Sequence, residues 1–251
     1  MKTKALTTII LTLVLTGCDA NRVDPGTSSS GNPLNPMLAI ERAPSNTKTL
    51  NDNLPTIGVI LFVDVLMTEV TAPIDVFSKS SKDGKQFFNV VTIAESLQPV
   101  ATESGLRLIP DYTFATCPKL DVLVVPSAYD MAETVKDSQI VDFIKQQNDH
   151  TDFTMSNCAG AMLIGESGIA NGKKIVTYIG GGDDLKKSYP GLDVQDDATV
   201  SFVEDGKFLS SNGNLASYIS ALKLLEKMSG KEHREFVESY LYLDRLRNWR
   251  E

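Results

Sequence analysis

The apolar positions divide the chain at about Pro55. Downstream, Ile57-Gly58-Val59-Ile60-Leu61-Phe62 is a continuous apolar run of strand length, the pattern of a parallel strand buried on both faces. Similar runs follow at residues 88–93, 121–125 and 152–156, separated by helical patterns over residues 71–81, 138–148 and 159–167. This alternation predicts an α/β sandwich with a mostly parallel sheet. Short strands are then expected at residues 174–177, 199–203 and 207–210, the last two joined by the turn Glu204-Asp205-Gly206. Leu215, Ile219, Leu222, Leu225 and Met228 recur at helical spacing, which predicts a helix over 215–228 with Asn214 as its cap. Ser229-Gly230 separates it from a final amphipathic helix over 231–249. There Phe236, Tyr240, Leu243 and Leu246 form one stripe, suited to the core or to contact between two copies. Residues 55–251 thus read as one domain without internal repeats.

Upstream of Pro55 the pattern is of another kind. Met1 to Lys4 carry two lysines, and residues 5–15 are uncharged and mostly apolar. Eleven residues are too few to span a bilayer as a helix but suit the core of a signal peptide. Leu15-Thr16-Gly17-Cys18 has the form of a bacterial lipobox, in which cleavage before the cysteine leaves that cysteine to carry lipid. The expected organisation is a signal peptide at 1–17 and a lipidated Cys18 followed by a flexible tether to residue 54. The tether is rich in Ser, Asn, Pro, Gly and Thr, and its composition cannot bury enough apolar surface to offset ordering entropy. Met37-Leu38-Ala39-Ile40 is its one stretch able to dock. Asp19 resembles an inner-membrane retention signal, so the expected location is the envelope, lipid-anchored at the periplasmic face of the inner membrane.

Charge and rare residues narrow the chemistry. Removing residues 1–17 takes away Lys2 and Lys4 and no acid, so 22 basic residues face 32 acidic ones, a balance of −10. Such a surface is poorly suited to phosphate backbones, and nucleic acid is not an expected partner. Three cysteines and two histidines leave no disulfide framework and no His-rich metal site. Neither a metal nor another cofactor is expected. Gly180-Gly181-Gly182-Asp183-Asp184 lacks the Lys-Ser/Thr ending of a phosphate loop and reads as a loop or helix entry.

The segment Met155-Ser156-Asn157-Cys158-Ala159-Gly160 joins an apolar strand to a small-residue helix start. It has the form of a nucleophile elbow with cysteine at its tip, at the carboxyl end of the sheet where open α/β folds place ligands. A helix amino terminus favours a thiolate through its partial positive charge and free N–H groups. A buried structural cysteine is the competing reading. Cys117 precedes its strand whereas Cys158 follows its own, so a bridge between them is not expected. Cys117 reads as a packing residue.

With these residues in view, the chain from about Thr56 to Arg245 resembles the ThiJ/PfpI branch of the class I glutamine amidotransferase-like superfamily. The likeness is strongest to isonitrile hydratases and to the ligand domains preceding AraC-type DNA-binding modules. It rests on residues 69–77 (Glu-Val-Thr-Ala-Pro-Ile-Asp-Val-Phe), 109–113 (Ile-Pro-Asp-Tyr-Thr), 120–126 (Leu-Asp-Val-Leu-Val-Val-Pro) and Cys158-Ala159-Gly160-Ala161. Residues 171–174 and 202–206 continue it. The resemblance implies a flavodoxin-like three-layer sandwich in which an acid after the first strand, here Glu69, meets the elbow cysteine. A protonated Glu69 would stabilise a thiolate by donating a hydrogen bond, whereas an ionised one would repel it. Asp75 reads as a structural or surface acid. Because the superfamily commonly dimerises, a homodimer is among the expected assemblies.

The departures from the family pattern are equally specific. Many members carry histidine shortly after the strand that follows the elbow; this chain has Thr177-Tyr178-Ile179. His150 and His233 are both expected at the surface, away from Cys158, which disfavours a triad hydrolase or protease. Ser127 and Ala128 replace the usual paired glycines, although their backbone N–H groups and that of Ala159 are candidates for an oxyanion site, with Tyr178 beside the pocket. Isonitrile hydratases have threonine where this chain has Ala159. Two readings follow. One is a Cys158/Glu69-dependent hydratase or hydrolase of a small electrophile, lacking a catalytic histidine. The other is a ligand-binding or thiol redox-sensing module related to the AraC-type ligand domains; the chain ends soon after Trp249, so no helix-turn-helix is expected to follow.

Overall fold

The computed structural model describes residues 48–247. The signal peptide, Cys18, Asp19, Met37 to Ile40 and most of the predicted tether lie outside the described residues. In chain order the elements are β1 (Thr56–Ile60), α1 (Met67–Phe77), β2 (Asn89–Ala94), β3 (Val100–Ala101), β4 (Arg107–Leu108), β5 (Tyr112–Thr113) and β6 (Val122–Val125). After them come α2 (Ser138–Asn148), β7 (Phe153–Asn157), α3 (Gly160–Ser167), β8 (Lys174–Ile175), α4 (Gly182–Ser188) and β9 (Asp193–Val194). The domain closes with β10 (Phe202–Asp205), β11 (Phe208–Ser211), α5 (Ala216–Ser229) and α6 (Lys231–Tyr240).

Seven strands form one sheet in the order β10-β11-β7-β6-β1-β2-β5, in which only the β10–β11 pair is antiparallel. The predicted mostly parallel α/β fold is therefore present. β1 and β6 are buried along their whole length, as the unbroken Ile/Val runs require of strands covered on both faces. β1 pairs with β2 on one side and β6 on the other, so strand order reverses there and a crevice opens at the carboxyl ends. β8 and β9 pair only with each other.

Several boundaries differ from the sequence expectation, each for a tertiary reason. α1 starts at Met67 rather than 71, because its first turn is capped from far away: Glu103 Oε2 accepts from the Met67 N–H at 2.8 Å. β10 begins at Phe202, three residues later than expected, and β8 stops at Ile175. Asn214 does not cap α5; its backbone is left-handed (φ +47°), and Leu215 occupies the cap without a side-chain bond. The final helix ends at Tyr240 rather than running to 249, since Tyr242 turns to φ +57° and a 3-10 turn, Leu243–Arg247, follows. On its stripe Phe236 is half-buried, whereas Tyr240 and Leu246 are exposed.

Residues 48–54, assigned from composition to the tether, are held against β2. The Lys48 ammonium donates to Val90 O (2.7 Å), Asn51 and Asn89 exchange hydrogen bonds, and the Tyr112 hydroxyl donates to Lys48 O (2.6 Å). Among the described residues no helix is long and apolar enough to cross a membrane.

Candidate functional site

Cys158 stands immediately after β7, at the tip of the turn into α3, with φ +53°. A left-handed cysteine costs about 1–2 kcal/mol and is held there by its neighbours. Its N–H donates to Ser211 O (2.9 Å), and its C=O accepts from the Thr177 hydroxyl (2.9 Å). Gly160 lets α3 close onto the sheet, because a Cβ there would overlap Val125 O and stand 2.8 Å from Pro126 O. The elbow brings Cys158 to the carboxyl end of the sheet, nearly buried at 9% exposure.

Glu69 reaches the same point from the first turn of α1 and is fully buried. Its Oε2 accepts from both the Ser127 N–H and the Ser127 hydroxyl, each at 2.8 Å. Oε1 receives no hydrogen bond of regular geometry, although the Cys158 thiol and the Asn214 N–H lie against the carboxyl. Gly213 (φ +83°) is folded over this pair so closely that a side chain would overlap both Cys158 Cβ and Glu69 Oε1.

Both acids are pushed upward. Burial raises the Glu69 carboxyl, against the opposing hydrogen bonds from Ser127, Cys158 and Asn214. Burial, and then the charge of Glu69, push the Cys158 thiol up to about 12, opposed by the Ser127 hydroxyl and the Ala159 N–H. Ionisation of either buried group disfavours that of its neighbour. At Cys158 burial thus outweighs the stabilisation that the helix terminus offers a thiolate.

The structure gathers four of the predicted residues, Cys158, Glu69, Ser127 and Ala159, around the elbow. The other candidates stand differently. The Ser127 N–H is taken by Glu69, and the Ala128 N–H points to Met131 Sδ at 3.0 Å, so two of the three expected oxyanion donors are engaged inside the protein, while the Ala159 N–H faces the Cys158 sulfur. Tyr178 is 36% exposed and covers Gly181. His150 is exposed, as expected. His233 is not a surface residue: it is buried, stacks on Phe87 with ring centroids 4.2 Å apart, and bonds Ser229 Oγ and Lys79 O. Its place between α6 and the loop before β2 still separates it from Cys158 in the fold. Cys117 and Cys158 are both free; Cys117 is half-buried, and burial holds its thiol at about 12. Among the described residues no group of three or more His, Cys, Asp or Glu side chains is arranged to hold a metal ion.

Four contributions were not visible in the sequence: the Ser127 hydroxyl, the Thr177 hydroxyl, the packing of Gly213 and the Asn214 N–H. Asn212-Gly213-Asn214 after a strand does announce a tight turn. Nothing local says that the turn folds back onto a cysteine 55 residues earlier.

Comparison with known proteins adds to this geometry. The profile described as the DJ-1/PfpI family matches residues 55–227. Isonitrile hydratase of Pseudomonas putida is 31% identical over 185 residues, covering 74% of this chain and 77% of that protein. Two solved structures share the fold. A ThiJ/PfpI family protein from Pseudomonas syringae superposes with a TM-score of 0.68 at 20% identity, covering 84% of each chain. An AraC family transcriptional regulator from Pseudomonas putida does so at 0.66 and 20% identity, covering 74% of this chain and 99% of that one.

Proposed function

Because the chain belongs to the DJ-1/PfpI family, we propose that it acts on a small electrophile through the Cys158–Glu69 pair, as a hydratase or hydrolase. The observation that carries this reading is the buried Glu69 carboxyl set beside the elbow thiol, with Gly213 closed over both and Oε1 of Glu69 left without a regular partner. In the first step the Cys158 sulfur bonds to the electrophilic carbon while its proton passes to Glu69. Glu69 then delivers that proton to the substrate atom that gains the electron pair. Water adds to the intermediate, the C–S bond breaks with its electron pair returning to sulfur, and the proton lost from the added hydroxyl restores the thiol. For a hydratase the net change is addition of one water. For an amide the proton from Glu69 goes to the nitrogen as the C–N bond breaks and the amine leaves; water then releases the acid from the thioester and restores the thiol. The 31% identity to isonitrile hydratase supports testing isonitriles first, with dicarbonyls and amides beside them.

A second reading is a small-ligand-binding or thiol-sensing module without turnover. It is favoured by the thiol standing near 12, by the engaged N–H groups of Ser127 and Ala128, and by Thr177-Tyr178-Ile179 occupying the segment where the family resemblance implies a histidine. Turnover of any of the three substrate classes, abolished by Cys158→Ser and strongly reduced by Glu69→Gln, supports the enzyme. Reversible binding of the same compounds without product formation supports the module.

The lipobox-like Leu15 to Cys18 places this activity, in our reading, on a lipid anchor at the periplasmic face of the inner membrane. Incorporation of labelled fatty acid, lost in Cys18→Ala, is the expected result, and an unlabelled protein in the soluble fraction would overturn it.

A further inference from the structure

The loops that converge on Cys158 carry exposed apolar side chains and no cation. Tyr129 is 87% exposed, Ile179 70%, Val63 69% and Leu215 63%. Tyr129, Ile179 and Leu215 each lie within two residues of a group that builds the site, whereas Val63 lines a separate cavity with Glu95, Gln98 and Phe114. Tyr129 follows Ser127 and Ala128; Ile179 follows Thr177, whose hydroxyl holds the Cys158 carbonyl. Leu215 follows Gly213, which packs on Cys158 and Glu69. A further hydrogen bond, from the Asn212 side-chain amide to Thr177 O at 2.7 Å, ties two of these loops together. Across residues 61–68, 126–131, 156–162, 177–182 and 212–219 there is no Lys, Arg or His, and the only charges are Asp64 and Asp130.

Apolar surface left in water next to a buried carboxyl is costly unless something covers it, and isolated exposed apolar residues rarely gather at one mouth by accident. An anionic substituent brought to this mouth would lose its hydration beside Glu69, Asp64 and Asp130, and Lys186, which lines a cavity with Gly180 and Gly182, is outnumbered there by Asp183, Asp196 and Asp197. An uncharged apolar substituent would instead bury its surface on the collar. We infer that Tyr129, Ile179 and Leu215 form a specificity collar that selects electrophiles bearing an uncharged, apolar substituent and rejects those bearing a carboxylate or phosphate. This deepens the proposed function, on which it rests for the reacting group, and leaves the reaction itself to the elbow pair.

The test uses the full chain and two maleimides of matched length, N-hexylmaleimide and 6-maleimidohexanoic acid. Alkylation rates are read separately at Cys158 and Cys117 by peptide mass spectrometry, each scaled to the same reagent's rate with a free thiol, so Cys117 serves as the comparison site outside the collar. The expected result is a Cys158/Cys117 rate ratio about tenfold or more higher for the hexyl reagent. Tyr129→Lys and, independently, Ile179→Lys should speed the anionic reagent at Cys158 and leave Cys117 unchanged. Both positions are exposed, so neither change burdens the core. Equal ratios for the two reagents overturn the collar, as does a Cys158 that neither reagent reaches. A hexyl preference that vanishes on dilution, alongside a fall in mass by light scattering, would assign the apolar residues to contact between copies instead. Charge selectivity without turnover of any substrate would retire the enzyme reading and leave the collar standing. Turnover indifferent to substituent charge would do the reverse.

Discussion

Gly213 lies directly against Cys158, with φ +83° and no room for a side chain between the cysteine Cβ and Glu69 Oε1. The turn after β11 therefore forms part of the lining of the elbow and presses the carboxyl and the thiol together. A methyl group at 213 faces two penalties, the left-handed backbone and a clash with fixed neighbours. Gly213→Ala should destabilise the fold by about 2–4 kcal/mol, seen as a lower denaturant midpoint at unchanged slope. It should also change Cys158 alkylation, which an ordinary loop substitution would leave alone.

Glu69 makes stability depend on pH in a direction opposite to that of a salt-bridged acid. Its carboxyl is raised in the fold, so the folded state binds more protons than the unfolded one above the ordinary value of 4.5. Stability from this group is greatest below that value and is lost as pH rises through the raised one. Glu69→Gln, whose side-chain oxygen can still accept from Ser127, should be more stable than the parent at neutral pH. That advantage should disappear below about pH 4. Denaturation midpoints measured from pH 3 to 8 decide it; an advantage that grows in acid would contradict the assignment.

The Cys158 thiol, held near 12, should react slowly at neutral pH and keep accelerating well above pH 9. Glu69→Gln removes the neighbouring charge, so its titration should move downward while burial keeps it above that of a free cysteine. Peptide-resolved iodoacetamide rates from pH 7 to 11 test both statements. A plateau near pH 7 in the parent protein would mean that the helix terminus of α3 outweighs burial after all.

His233 bears on stability alone. It fills the space between Phe87 and Ser229 and satisfies Lys79 O, so His233→Ala should cost about 2–4 kcal/mol through lost packing and an unpaired carbonyl. Cys158 alkylation measured below the unfolding transition should not change. A simultaneous change in thiol reactivity would show that the α6 contact and the elbow are coupled.

Much of this protein was readable from its sequence. The strands β1, β2, β6 and β7 fall within two residues of the runs that predicted them; β1 and β6, buried on both faces, are continuously apolar, whereas β7 buries Thr154, Ser156 and Asn157 among its apolar residues. The 138–148 helix was predicted at its observed bounds, since Asp137 caps it from the adjacent position through the Gln139 N–H. The elbow was legible for the same reason: strand, cysteine and small residues are contiguous. Where the partner is distant, local reading failed. The start of α1 depends on Glu103, the fate of Asn214 on Glu69, and the burial of His233 on Phe87.

The sequence by itself determined the α/β class, the family pattern, the elbow cysteine with its acid, and the absence of histidine beside them. The tertiary structure decided what that constellation is electrostatically. Burial and mutual repulsion, which depend on how α1, the loop after β6 and the turn after β11 close around one point, lift both acids above their ordinary values. They also committed the Ser127 and Ala128 N–H groups and gathered the apolar collar from separate loops. Identities and spacings are local properties of the chain. Dielectric environment and the convergence of loops are not, which is why only the folded molecule specifies them.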